Sequence, residues 1–207
     1  MAAPLDLVLF DLGGVLIELR GVTTMADLAG IDDESELWRR WLGCRWVRRF
    51  ERGLCAPEEF ALGVVEDWGL DVGPEQFLEI FSSWPVGPFV GAERLVRQTG
   101  STIPVACLSN TNVLHWDDNV EHWPLTALFD HRFVSHRMGA VKPDVEAFTD
   151  VAAALSVSPD RVLLLDDNQV NVDGARAAGL RAELAVGTDG ARRVLERTGL
   201  VAARDRP

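Results

Sequence analysis

Short apolar segments alternate with longer amphipathic ones along most of the chain, and this alternation constrains the fold more than any other feature. The apolar segments suit strands buried on both faces, at residues 5–10, 104–109, 131–135, 161–166 and 181–186. Helical patterns accompany them, at about 89–99, 111–122, 144–156, 169–178 and 188–198. Strands that alternate with helices pair in parallel. The sequence therefore predicts an α/β fold with a doubly wound parallel sheet.

The alternation is interrupted between residues 19 and 84, where the pattern is helical throughout. Tryptophan, leucine and arginine are frequent in this stretch, and Pro57 and Pro74 each open a helical segment. We expect a small helical domain inserted after the first strand, able to lie over the edge of the sheet. The predicted organisation is a core domain of residues 1–18 and 85–207 with a helical cap of residues 19–84.

Polar residues stand where the predicted strands end. They are Asp11 after the first strand, Ser109 and Asn110 after the second, and Asp166 with Asp167 after the fourth. In an open parallel sheet, ligands bind beyond the carboxyl ends of the strands. These residues are therefore expected to share one site.

Lys142 is the one lysine among the 20 Lys and Arg residues of the chain. Alone, this is as compatible with chance as with function. A compact ammonium on a flexible stem, however, reaches a phosphate or carboxylate with a geometry that the planar guanidinium does not reproduce. Because Lys142 is also expected at the carboxyl edge of the sheet, we assign it to the same site.

Each polar group has a chemical and a structural interpretation. Asp11, followed by Gly13 and Gly14, suits a carboxylate nucleophile beside a turn whose N–H groups face an oxyanion, or else an aspartate that caps a turn. Ser109 and Asn110 suit hydrogen bonds to a phosphate oxygen, or the start of a helix.

The adjacent carboxylates of Asp166 and Asp167 repel each other unless a cation lies between them. Ligand sets made only of oxygen suit Mg²⁺. The alternative is a pair of acidic loop residues that face solvent. Because both follow the apolar segment Leu-Leu-Leu, we favour the metal site.

Composition excludes several classes of function. The formal net charge of −12 argues against nucleic acid or an anionic membrane as a partner. The three cysteines, Cys44, Cys55 and Cys107, match neither a disulfide framework nor a metal-ligand spacing, which favours a cytoplasmic location. The first residues lack the basic start of a signal peptide, and no segment has the roughly 18 apolar residues of a membrane span.

Four motifs in this order, Phe-Asp-x-Gly-Gly, Leu-Ser-Asn, Lys-Pro and Asp-Asp-Asn-x-x-Asn, resemble the haloacid dehalogenase-like hydrolases, in particular the phosphatases with a small helical cap. The resemblance covers essentially the whole chain. It implies that Asp11 attacks phosphorus and becomes an aspartyl-phosphate, that Ser109 and the main chain around Asn110 orient the phosphoryl group, and that Lys142 neutralises its charge. The implied substrate is a small phosphorylated metabolite.

The resemblance also implies a Mg²⁺ site. Asp167 and Asp11 would bind the ion with their carboxylates, and Gly13 with its backbone carbonyl. Asp166 would support Asp167 from the side away from the ion, and Asn171 would stabilise the loop.

The chain departs from the family at Gly13, where the commonest form of the motif has a second aspartate that serves as general acid and base. Such help is typically worth about 10²- to 10⁴-fold in rate. Three interpretations follow. The first is a phosphatase for leaving groups that need little protonation, such as sugar 1-phosphates, since a sugar-phosphatase-like branch is similar in having Asp-Leu-Gly. The second is a 2-haloacid dehalogenase, and the third is a protein that binds phosphoryl ligands without catalysis. Relatives that cleave carbon–phosphorus bonds use a cap lysine, and the single lysine, Lys142, is already assigned.

The second interpretation is weakened by the paired Asp166 and Asp167, because dehalogenases of this kind need no metal. They also tend to carry an aromatic residue, not glycine, at the position of Gly13.

Arginines and aromatic residues are also interleaved within the predicted cap. They are Arg39, Arg40, Arg45, Arg48, Arg49 and Arg52, with Trp38, Trp41, Trp46 and Phe50. They fit either an anion- or sugar-binding face or, as we favour, amphipathic helices with solvated arginines. His115 and Trp116 are candidates for the mouth of the pocket.

Overall fold

The computed structural model describes residues 4–203, so that residues 1–3 and 204–207 of the predicted core lie outside it. Strands among the described residues are β1 Leu7–Phe10, β2 Ile17–Leu19, β3 Pro85–Pro88, β4 Val105–Ser109, β5 His131–Val134, β6 Val162–Asp166 and β7 Arg181–Leu184. Five of them form a parallel sheet in the order β5-β4-β1-β6-β7, while β2 and β3 form an antiparallel pair. The predicted parallel sheet is thereby confirmed.

The helices are α1 Gly21–Ala29, α2 Glu34–Gly43, α3 Arg45–Glu51, α4 Pro57–Trp68, α5 Pro74–Ser82, α6 Ala92–Gly100, α7 Ser135–Met138, α8 Val145–Leu155, α9 Gln169–Ala177 and α10 Gly187–Arg197. Short 3₁₀ turns occupy Val120–His122, Thr126–Leu128 and Pro159–Arg161. Among residues 4–203, none of these helices is long and apolar enough to cross a membrane.

Both faces of the parallel sheet are covered. Side chains alternate across a strand, so Val8 and Phe10 of β1 join the hydrophobic cluster that contains residues of α6 and α10. Leu7 and Leu9 join the opposite cluster, with residues of α8 and α9. This two-sided burial explains why the strands are continuously apolar rather than alternating.

The five helices α1–α5 lie between β2 and β3, in the stretch that we predicted to be the cap. They share a separate hydrophobic cluster rich in aromatic side chains. At its centre, the rings of Phe50 and Phe60 stack at 4.3 Å, and Phe81 packs on Phe60 at 4.9 Å. The cap helices therefore have their own core, and the β2–β3 pair joins the two ends of the insertion.

The helix predicted at 111–122 is wrong. The segment consists of turns followed by the 3₁₀ turn at Val120–His122. The side chain of Asn112 accepts a hydrogen bond from the backbone N–H of His115, and the N–H groups of Val120 and Glu121 reach back five residues to His115 and Trp116. Asparagine and aspartate compete in this way with the helical hydrogen bonds.

Candidate active site

Three neighbouring strands place the predicted polar residues at one edge of the sheet. Phe10 pairs with Cys107 of β4 and with Leu165 of β6, so β1 lies between them in register. Asp11 follows immediately, and its N–H donates to the carbonyl of Leu165. Asp11, Ser109 and Asp166 are therefore brought together because three parallel strands end side by side.

Lys142 lies at the centre of this edge and is 1% exposed. Its Nζ is 2.9 Å from Asp11 Oδ1 and 2.7 Å from Asp166 Oδ2. The backbone of Lys142 is fixed by Asn110, whose side chain donates to the Lys142 carbonyl and accepts from the Lys142 N–H, both at 2.9 Å. The side chain of Asn110 thus positions the lysine, and only the main chain of Asn110 is left to face a ligand.

The two adjacent aspartates have different surroundings. Asp166 is fully buried, and besides Lys142 it accepts hydrogen bonds on Oδ1 from the Asn168 N–H at 2.9 Å and from Asn171 Nδ2 at 3.0 Å. Asp167 is less buried and lines the cavity above the sheet edge. Asp166 therefore organises the loop and the lysine, whereas Asp167 faces the space where a ligand would lie.

Burial and charge oppose each other in this cluster. Burial raises the pKa of Asp11 well above its usual value; Lys142 lowers it, and Asp166 and Asp167 raise it further. Burial alone would lower the pKa of Lys142, but the carboxylates of Asp11 and Asp166 outweigh it and raise that pKa above its usual range. Lys142 therefore stays charged, and it faces more negative charge than it can balance.

The donors at this edge fit a divalent metal ion. Carboxylate oxygens of Asp11, Asp166 and Asp167 lie within 4.8 Å of one another. A set of buried carboxylates with surplus negative charge suits a hard cation that prefers oxygen ligands, such as Mg²⁺.

Gly14 leaves space for the carboxylate of Asp167. It has a φ of +69°, and a Cβ at this position would overlap the Asp167 carboxylate. Its N–H donates to the carbonyl of Ile17 at 2.9 Å. This N–H closes the turn after β1, although we expected the N–H groups of the turn to face a substrate oxygen.

Gly13 also lines the cavity, next to Leu19. A Cβ at Gly13 would lie 2.6 Å from Leu19 Cδ1. Leu19 therefore occupies the space that the aspartate side chain of the commoner motif would need at position 13. A longer side chain at position 13 would require Leu19 to move.

A cavity of about 260 Å³ lies between the sheet edge and the cap helices. Asp11, Ser109, Lys142 and Asp167 line it from the core. From the cap and the segments beside it come mainly apolar groups, namely Met25, Leu37, Trp38, Trp41, Leu42, Phe81 and Trp84. The predicted site residues other than Asp166 thus line one cavity, which has an aromatic wall.

The cap arginines point elsewhere. Arg45 pairs with Asp67 and Arg49 with Glu59, both at exposed positions. Arg40 lies over the Trp68 ring at 4.1 Å. No arginine among the described residues lines the cavity. These contacts support amphipathic cap helices with solvated arginines, apart from Arg48 and Arg52, which pair with Asp144 of the core.

His115 and Trp116, our candidates for the mouth of the pocket, both line the cavity. His115 Nε2 lies 2.7 Å from the carbonyl of Phe81, and Nδ1 lies 3.3 Å from Asn112 Nδ2. Burial lowers the pKa of His115 to about 4, partly offset by the bond to Phe81. The ring is therefore neutral near pH 7, with both nitrogens engaged.

Glu51 was not predicted as a site residue, yet it lines the same cavity from the end of α3. It is half-buried, and burial raises its pKa to about 7 against the opposing charges of Lys142 and Arg48. The only sequence pattern near it is a helix end followed by Gly53, which is common and names no function. Its place depends on how the cap helices pack on the core.

Two curated proteins are similar in sequence. A phosphatase of Mycobacterium tuberculosis is 46% identical over 57 residues, which are 28% of this chain and 26% of that protein. A bifunctional riboflavin kinase/FMN phosphatase of Arabidopsis thaliana is 27% identical over 187 residues, which are 84% of this chain and 46% of that protein. The chain thus spans less than half the length of either relative.

Solved structures share the fold. A haloacid dehalogenase family enzyme from Bacteroides thetaiotaomicron, in complex with magnesium and inorganic phosphate, has a TM-score of 0.67 and 25% identity, covering 87% of this chain and 94% of that one. An L-2-haloacid dehalogenase from Xanthobacter autotrophicus, with a TM-score of 0.63, 19% identity and coverage of 96% and 85%, shows likeness of fold alone. The model of the haloacid dehalogenase-like hydrolases matches residues 5–179, and the chain belongs to that family.

Proposed function

We propose that the chain is a Mg²⁺-dependent phosphomonoester hydrolase that acts on a small phosphorylated metabolite through an aspartyl-phosphate at Asp11. The observation that carries this proposal is the arrangement of Lys142 between Asp11 and Asp166, with Asp167 beside them. The similarity to proteins named as phosphatases, and to an enzyme that holds magnesium and phosphate, supports it.

Each residue has a role in this proposal. A carboxylate oxygen of Asp11 attacks phosphorus, and Lys142, held at 2.9 Å from Asp11, offsets charge on the phosphoryl oxygens. Ser109 and the main chain at Asn110 orient the phosphoryl group from the end of β4. Asp166 holds Lys142 in place, which makes it a positioning residue.

The metal ion would be held by Asp11, Asp167 and the carbonyl of Gly13, with Asp166 behind them. When bound, Mg²⁺ supplies positive charge that stabilises the phosphoryl oxygens and lowers repulsion between them and the attacking carboxylate. The protein itself supplies the fixed lysine and the cavity that surrounds the substrate.

The aromatic wall supports a small organic phosphate as the substrate, with a sugar phosphate as the finer proposal, because aromatic faces stack on sugar rings. Trp38, Trp41 and Trp84 line the cavity together with Asp11. We expect a cytoplasmic location, since Cys44, Cys55 and Cys107 are free thiols.

A panel of phosphate monoesters with and without Mg²⁺ tests the proposal. Asp11→Asn should reduce turnover by on the order of 10⁴-fold or more, as expected for loss of a nucleophile. Addition of EDTA should abolish turnover by the wild type. Consumption of 2-chloropropionate unaffected by EDTA would instead establish a dehalogenase, and binding of Mg²⁺ and phosphate without turnover would establish a non-catalytic protein.

A further inference from the structure

Because the first motif lacks its usual acid, the site needs another proton donor for the leaving group. An alcohol leaves phosphorus easily only if its oxygen gains a proton, and Gly13 has no side chain to give one. Another group in the cavity must then serve for ordinary alkyl phosphates, and the structure limits the candidates.

Carboxyl groups that line the cavity are Asp11, Glu18, Glu51 and Asp167. Asp11 is the nucleophile and Asp167 a metal ligand in the proposed function. Glu18 is exposed at the rim. His115 is neutral with both ring nitrogens engaged, and the chain has no tyrosine. Glu51 is the carboxyl that remains.

Contacts between cap and core fix the position of Glu51 on the wall of the cavity. Arg48, one helical turn before it, donates to both carboxylate oxygens of Asp144 at 2.8 Å, and Arg52 donates to the same carboxylate. Asp144 is two residues from Lys142. Gly53 lies so close to the core that a Cβ there would overlap the carbonyl oxygen of His136. Glu51 therefore stands between two points at which α3 and the following turn contact the core.

The charges around Glu51 suit proton transfer. Arg48 faces it from its own helix and Lys142 from the core, while Arg52, Asp144 and His136 surround the contact between α3 and the core. Burial outweighs the two cations and sets the pKa of Glu51 at about 7. A carboxyl with that pKa is present in both protonation states near neutral pH, as a group that serves as acid and then as base requires.

We propose that Glu51, from the cap, is the general acid and base of the phosphatase reaction in place of the residue missing at Gly13, an inference that rests on the proposed function. As Asp11 bonds to phosphorus and the bond from phosphorus to the ester oxygen breaks, the Glu51 carboxylic acid gives its proton to that oxygen, and a neutral alcohol leaves. The Glu51 carboxylate then takes a proton from a water molecule whose oxygen attacks phosphorus. The bond between phosphorus and Asp11 breaks, and inorganic phosphate, the Asp11 carboxylate and the Glu51 acid result.

The test compares wild type, Glu51→Gln and Glu51→Asp on aryl and alkyl phosphates of graded leaving-group basicity, at saturating Mg²⁺. Glu51→Gln should lower kcat/KM for alkyl phosphates by about 10²- to 10⁴-fold, but should change that of p-nitrophenyl phosphate far less, because nitrophenolate leaves without a proton. Loss of the base should also slow the second step, so Glu51→Gln should release an initial burst of nitrophenol equal to the enzyme concentration. Glu51→Asp should recover part of the alkyl phosphate rate, and the wild-type decline in rate above about pH 7 should disappear in Glu51→Gln.

Glu18→Gln is the matched control, since it neutralises an exposed carboxyl at the rim of the same cavity, and it should keep wild-type selectivity. An equal loss for all leaving groups in Glu51→Gln, without a burst, would show a structural role and overturn the proposal. Wild-type rates in Glu51→Gln, with Asp11→Asn inactive, would overturn this inference alone. Inability of the wild type to hydrolyse any phosphate ester would overturn the proposed function and this inference with it.

Discussion

The two walls of the cavity differ in chemical character. The core wall consists of buried charges, with Lys142 held between Asp11 and Asp166 by short contacts. The cap wall consists mainly of aromatic and aliphatic side chains with one carboxyl, Glu51, while the cap arginines pair at the outer surface or with Asp144. This difference matches the two proposals, in which the core binds and attacks the phosphoryl group and the cap surrounds the leaving group and transfers its proton.

The largest effect is expected at the core wall. Lys142→Met should leave two buried carboxylates without their partner and destabilise the protein by about 3–5 kcal/mol. Lys142→Arg keeps the charge but changes its shape, so it should fold and yet lose about 10²- to 10³-fold in kcat. Thermal unfolding and steady-state kinetics measure the two effects.

Arg45→Met is the control for loss of a cation, since the ion pair of Arg45 with Asp67 is exposed. Arg45→Met should lower the free energy of unfolding by less than about 1 kcal/mol. Wild-type turnover by Lys142→Arg would show that the core needs only a positive charge at this point, which would weaken the contrast between a shaped core and an adaptable cap.

The next effect concerns the metal side of the core wall. Gly14→Ala should push the Asp167 carboxylate from its place and raise the Mg²⁺ concentration for half-maximal activity by about 10- to 100-fold. Gly30→Ala is a matched control, because Gly30 has a φ of +62° but a Cβ added there would meet nothing within 4 Å. Both variants should share a similar backbone strain of about 1–2 kcal/mol, so a change in Mg²⁺ dependence confined to Gly14→Ala isolates the effect on Asp167. Equal Mg²⁺ dependence in both would contradict the role of Asp167.

The same contrast explains how much could be predicted from the sequence. The core wall was predictable because all of its groups except Lys142 stand at the end of a buried strand, and parallel strands bring their ends together. Asp11, Ser109 and Asp166 needed only the strand pattern, and the single lysine drew attention to Lys142. The role of Gly14 was not predictable, since it depends on the close approach of Asp167 from another strand.

The cap wall was predictable only in outline. Its helical character follows from the pattern between residues 19 and 84, but Glu51 faces the site because Arg48 and Arg52 reach Asp144, 96 and 92 residues away in sequence. No local pattern encodes a contact of that separation. The false helix at 111–122 has a local cause, since side chains such as that of Asn112 compete for backbone hydrogen bonds.

A smaller effect is expected where the two walls meet. Asp144→Ala removes the acceptor of Arg48 and Arg52, which should destabilise the protein by about 1–2 kcal/mol and raise KM several-fold with a smaller change in kcat, because the cap is held less firmly over the cavity. Glu59→Ala, which removes the exposed pair with Arg49 within the cap, should change neither constant. If Asp144→Ala keeps the wild-type KM, the contacts of Gly53 and the aromatic wall suffice to hold the cap.

The smallest effect is a pH dependence of stability that comes from the cap wall. The pKa of Glu51 is raised from 4.5 to about 7 in the folded protein, so between these values the unfolded chain loses its proton while the folded chain keeps it. Stability therefore falls as pH rises through this window, and above about pH 7 the full penalty is present. Glu51→Gln removes the penalty: it should match the wild type near pH 4.5 and exceed it by about 1–2 kcal/mol at pH 8, a value reduced because the side chain is partly exposed. Denaturant unfolding of both proteins at the two pH values measures the difference, with Glu18→Gln expected to follow the wild type at both. A stability difference that does not change with pH would show that the folded protein leaves the Glu51 carboxyl as acidic as in the unfolded chain, and would remove the physical basis for proton transfer from the cap.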